Sequence, residues 1–316
     1  METLTTQALV ENSYSMSRKK PRKRRSRKRL VYGVIAVAFI LAFFLAYSSL
    51  HSSPPKVAIV DQLSFLPGQS NPTFVDACKN ILKEGGLTWA YHNGNKVTVN
   101  FYRNLPSCGS SLIILRVHSA IMKTETGIIS LLGLFTSERY SDAAARKYRA
   151  DVLNDRLVKA FFTEGGEEYF GIVPKFVEES MKGEFKDTII IMMGCEGLGY
   201  NITGTRVTYT DMAEAFVKKG AKVYIGWDGP ISINHTDQAT VQLLQSLILH
   251  KRTIKQAVTE TMEIVGKDTY NSTLQYYPKT AEVENYAIPN LKSSLITNII
   301  YTSPTAKAKA STKTKY

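Results

Sequence analysis

The chain is short of the residues that mark several function classes. Of its 316 residues three are cysteine and five are histidine, and His92, His118, His235 and His250 are scattered without metal-ligand spacing. No metal is expected. Gly194-x-x-Gly197-x-Gly199 is neither a G-x-G-x-x-G fingerprint nor a P-loop and lacks the lysine, so no nucleotide cofactor is expected either. Internal repeats are absent. Basic residues outnumber acidic ones, 40 to 27, but the excess is confined to the ends. Ten bases lie between Arg18 and Arg29, and Lys307, Lys309, Lys313 and Lys315 lie in an Ala/Thr/Ser-rich tail. With these two sets of bases removed, 26 bases face the chain's 27 acids, and a near-neutral body asks for no nucleic acid.

What the chain does have is one long uncharged apolar run. Leu30 to Leu50 spans 21 residues rich in Val, Ile, Ala, Phe and Leu, about the ~20 that a helix needs to cross a bilayer. Lys and Arg beside a first apolar segment hold that flank in the cytoplasm. The expected order is a basic cytoplasmic segment (1–29), a transmembrane helix (30–50), a linker (51–56), an α/β domain (57–300) and a disordered Lys/Thr/Ala-rich tail (301–316). This describes a single-pass protein of the cell membrane, with the bilayer as a partner and the main domain extracytoplasmic. A cleaved signal peptide is the rival, with Ala46-Tyr47-Ser48 a weak match to its cleavage site, but its apolar region is shorter. The basic run sets topology and meets anionic lipid; nuclear targeting is the alternative.

Export gives other residues a meaning. Cys78 and Cys108 become a candidate disulfide, which leaves Cys195 odd. Asn201-Ile-Thr, Asn234-His-Thr and Asn271-Ser-Thr become candidate glycan acceptors.

From Lys56 onward strands alternate with helices. Strands are expected at 56–61, 88–92, 96–102, 112–117, 188–194 and 222–226, with Asn93-Gly94 as a hairpin signal between the second and third. An apolar stretch at 127–136 is expected to form a hairpin. Helices are expected at 74–83, 142–162, 173–182, 211–219, 237–249 and 253–265, with Gly85-Gly86 and Gly220 as stops. This alternation implies a doubly wound, mostly parallel sheet with helices on both faces. Two strands in it are followed by reactive side chains. Leu112-Ile-Ile-Leu-Arg-Val117 leads to His118, and Thr188-Ile-Ile-Ile-Met-Met-Gly194 leads to Cys195. Residues that follow parallel strands emerge on one carboxyl edge, where open α/β sheets place their chemistry. A thiol and an imidazole delivered there make a candidate nucleophile–base pair. The plain alternatives are a structural histidine and a packed core cysteine.

The order of these blocks resembles the caspase-like (clan CD) cysteine peptidases, the group of caspases, gingipain, clostripain and the CHAT domains. A hydrophobic run ending in His and a later one ending in a small residue plus Cys is their pattern. Gly194-Cys-Glu-Gly-Leu-Gly199 is similar to the Ala-Cys-Glu-Thr-Gly segment of CHAT proteins. Ala213-Glu-Ala-Phe216 and Gly220-Ala-Lys-Val-Tyr-Ile-Gly-Trp227 resemble their continuation, and the likeness runs from Val57 to about Leu249. It implies a caspase-like three-layer sandwich with a peptide or protein substrate and thiol hydrolase activity, in which Cys195 is the nucleophile and His118 the catalytic imidazole. Backbone amides around Gly194, Cys195, Ser119 and Ala120 would hold the oxyanion, and Trp227 and Asp228 would border the pocket for the residue before the scissile bond. Asp228 would favour a basic side chain there, with turn capping before Gly229-Pro230 as its simpler role. Ser119 stands where many members have Gly, and Gly194 where Ala is usual. The alternative is a catalytically inactive member that acts as a binding or assembly module.

Overall fold

The computed structural model describes residues 32, 34, 35, 37–40 and 56–289, apart from 125, 126, 164 and 203. Most of the expected membrane span (30–50), the basic segment and the tail (301–316) lie outside the described residues. Among the described residues no helix is long and apolar enough to cross a membrane.

The unit that begins at Pro54 is mixed α/β. It opens with β1 (Lys56–Asp61), α1 (Pro72–Glu84), β2 (Thr88–Asn93), α2 (Val99–Asn104) and β3 (Leu112–Arg116). Next come β4 (Ser119–Thr124), β5 (Gly127–Arg139), α3 (Asp142–Lys147), α4 (Arg149–Leu153), β6 (Leu157–Phe161), β7 (Glu168–Ile172) and α5 (Pro174–Glu179). The chain continues through β8 (Thr188–Met192), β9 (Gly199–Ile202), β10 (Thr205–Thr208), α6 (Asp211–Lys218) and β11 (Ala221–Trp227). It closes with α7 (Ile233–Leu244), α8 (Ile254–Val265), β12 (Leu274–Tyr277) and α9 (Ala281–Glu284), and α7 runs on as a π-helical turn over Gln245–Leu249.

Six strands form the central sheet in the order β12-β11-β8-β3-β1-β2, all parallel except β12 at one edge. β3 and β8 are buried at every position, the mark of a strand covered on both faces. Their side chains alternate between two cores. Ala58, Val60, Ile113, Leu115, Ile190 and Met192 pack with α2, α5 and α6. Val57, Ile59, Leu112, Ile114, Ile189 and Ile191 pack with α1, α7 and α8. Helices therefore lie on both faces of the sheet. An antiparallel sheet, β4-β5-β7-β6, joins the first core through Ile121, Leu132, Leu134, Phe170 and Ile172.

Four expectations are corrected. Lys96–Tyr102 is not a strand: Thr98 caps α2 by accepting the Phe101 N–H at 3.2 Å, and a capped turn outweighs β propensity. Asn93-Gly94 makes no hairpin, since β2 pairs parallel with β1. The span 142–162 is two short helices and the strand β6, broken where Asp155 takes a left-handed φ of 53°. The Cys78–Cys108 disulfide does not form. Both are free thiols, Cys78 buried on the inner face of α1 and Cys108 in the turn before β3, where its thiol faces the Asn104 carbonyl.

Candidate active site

β3 and β8 are neighbours in parallel register, Leu115 opposite Met192. His118 and Cys195 follow their carboxyl ends two and three residues later, so they leave the sheet on one edge.

His118 is half-buried, and its N–H donates to Gln62 Oε1 at 2.9 Å. Its ring meets Phe135 of β5 edge-on, centroids 4.6 Å apart, and tilts against Phe162 at 5.3 Å. Apolar rings thus hold the imidazole. Burial lowers its pKa, which favours the neutral base form.

Cys195 is also half-buried. Its Sγ accepts the Ile231 N–H at 3.4 Å and donates to the Ile231 carbonyl at 3.6 Å. Burial pushes the thiol up; the Ile231 contact opposes this, while the Glu196 and Asp268 carboxylates add to it. Burial thus favours the uncharged form of both side chains. Ser119 is buried with its Oγ donating to the Cys195 carbonyl at 2.7 Å, so the side chain is turned toward the Cys195 backbone. Ala120 is half-buried in β4, opposite Gly133. Glu196 has a left-handed φ of 63°, donates its N–H to the Gly229 carbonyl at 2.9 Å and accepts the Ile121 N–H on its carboxylate at 3.0 Å.

The expected pocket residues behave differently. Trp227 is core: its Nε1–H donates to Thr236 Oγ1 at 2.9 Å, and Thr236 in turn donates to the Met193 carbonyl at 2.9 Å. The Asp228 carboxylate accepts the Thr273 N–H at 2.7 Å and the Thr273 hydroxyl, and it pairs with Arg206 at 3.2 Å. A carboxylate engaged this way staples loops, so the basic-pocket expectation for Asp228 is set aside. Asn201, Asn234 and Asn271 are all exposed. Among the described residues no cluster of His, Cys, Asp and Glu could hold a metal ion.

Sequence reasoning missed two features. Arg116 is buried between Asp61 at 2.8 Å and Asp237 at 2.8 Å, with Asn71 donating to Asp237 at 2.8 Å and Tyr91 to Asp61 at 3.0 Å. The signal was a lone cation inside an aliphatic strand. A cavity of about 410 Å³ also opens between residues 68–71, Arg116 and residues 232–234, the last of these following Ile231 in the chain.

No protein-family model matches the chain, and no curated protein matches it. Among solved structures it is similar to the Arg-specific cysteine proteinase gingipain R, with a TM-score of 0.44 at 12% identity. That match covers 75% of this chain and 48% of the other, so the chain spans about half of its length.

Proposed function

We propose that the chain is a membrane-tethered, extracytoplasmic cysteine peptidase of the caspase-like class, anchored by residues 30–50 and acting on peptide bonds through Cys195 and His118. The observation that carries the reading is the shared carboxyl edge of β3 and β8, which brings the imidazole-bearing and thiol-bearing segments together. The order of blocks in the sequence and the uncharged apolar run support the class and the anchor.

In this reading a peptide enters along the edge, and the Cys195 side chain turns from Ile231 toward His118. The imidazole takes the thiol proton as sulfur attacks the carbonyl carbon. The carbonyl π pair moves onto oxygen, where the Cys195 N–H and an amide of Ser119 or Ala120 hold it. When the tetrahedral species collapses, the C–N bond breaks and the amine leaves with the proton from His118. Water, deprotonated by the same imidazole, then splits the thioester. The cavity lined by residues 232–234 has room for the side chain on the acyl side of the scissile bond.

The test is labelling of the full-length protein with a peptidyl thiol-reactive probe. Wild type labels at Cys195, Cys195→Ala does not, and His118→Ala loses most labelling while its thermal transition stays close to wild type. A wild type that never labels, with neither substitution altering any measured property, sinks the enzyme and leaves an inactive caspase-like binding module.

A further inference from the structure

The hydroxyl of Ser119 bridges the segments that carry His118 and Cys195. The last backbone bond between their segments is Met193 N–H to the Leu115 carbonyl at 3.0 Å. Past it the strands part, and Ser119 Oγ reaches across to the Cys195 carbonyl at 2.7 Å. Ser119 is 2% exposed, so this bond is shielded from competing water.

Residue 194 supplies a second, independent observation. A Cβ there would fall 2.3 Å from Ser119 Oγ, 2.5 Å from Met192 Cε and 2.6 Å from the Val117 carbonyl oxygen. The methionine end can move. The carbonyl is main chain and the hydroxyl is fixed by its bond to Cys195, so neither yields cheaply. Glycine at 194 keeps open the room that the Ser119 side chain fills.

We propose that Ser119 is a positioning residue: its hydroxyl, in the room left by Gly194, fixes the distance and angle at which Cys195 meets His118. The proposal rests on the peptidase reading of the dyad. Ser119 gains and loses no proton; it acts through the backbone of Cys195. Misplacing a reacting group by about 1 Å costs on the order of a hundredfold in rate.

The experiment separates binding from chemistry by saturation kinetics with the peptidyl probe on the full-length protein. Ser119→Ala is expected to lower the maximal labelling rate roughly ten- to a hundredfold, with the half-saturating concentration within about twofold of wild type. A merely structural serine would lower the thermal midpoint without this split. Gly194→Ala is expected to slow labelling more in wild type than in a Ser119→Gly background, because contact residues give non-additive effects. Labelling of Ser119→Ala at the wild-type rate, or strictly additive effects of the pair, overturns the proposal. If wild type fails to react with the probe, the peptidase reading falls. Iodoacetamide alkylation of Cys195, followed by mass spectrometry at pH 7, then decides: a slower rate in Ser119→Ala supports positioning, and an equal rate overturns it.

Discussion

His118 owes its setting to hydrocarbon. Phe135 and Phe162 flank the ring and carry no charge, and burial alone lowers its pKa. A base has to be neutral to accept the thiol proton. On the proposed peptidase reading, activity should persist as pH falls through the ordinary histidine value of ~6.5 and be lost only as pH passes His118's lower value. The same sign holds for stability: a buried neutral histidine contributes above its unfolded pKa and loses that contribution on acidification. Phe162→Ala admits water to the ring, and the acid limb of the labelling profile should move upward toward ~6.5. A limb that stays in place would mean that Phe162 does not shield the imidazole. That His118, Ser119, Gly194 and Cys195 follow the ends of adjacent strands was legible in the sequence, because a strand's end is marked by where its aliphatic run stops. Gln62 and Ile231 were not, since they act through an amide oxygen and a backbone unit that no side-chain pattern announces.

Between elements, the legible parts were those with strong periodicity. β1, β3, β8 and β11 are aliphatic runs, and α1, α6 and α8 have one apolar face each. Short antiparallel strands escaped. β6 hides at the end of a stretch with helical spacing, β7 lies in a segment given no element, and β9, β10 and β12 are four residues each, too brief for alternation to speak. The Arg116 network also belongs to this scale, because it ties β1 and β3 to α7 through Asp61 and Asp237. Arg116→Met leaves two buried carboxylates without their cation and should cost about 3–5 kcal/mol at pH 7 in urea unfolding. Adding Asp61→Asn and Asp237→Asn should recover most of the stability at pH 7. A single variant as stable as wild type would show that the network contributes little.

For the whole molecule, the distribution of charge decides more than its total. The excess of Lys and Arg sits before Leu30 and after Tyr301, while the body between is nearly neutral. A soluble domain gains nothing from 21 uncharged apolar residues flanked on one side by ten bases. That arrangement has a mechanical meaning at a bilayer, because moving Lys and Arg across the hydrocarbon is costly and keeps their flank inside. The proposed tether would in turn bear on the thiol chemistry. On the outer side a peptidase with Cys195 half-buried and gripped by Ile231 would be shielded from bulk oxidants. Protease added to intact cells should digest the chain beyond Lys56 and spare a tag placed before Arg18. After permeabilisation the tag should be lost as well. Carbonate extraction should leave the intact chain with the membrane fraction, as a spanning helix requires, whereas cleavage at Ala46-Tyr47-Ser48 would release it. Protection of the domain in intact cells would reverse the topology, and release by carbonate would remove the anchor; either result would leave the Cys195–His118 edge to be tested as the site of an untethered protein.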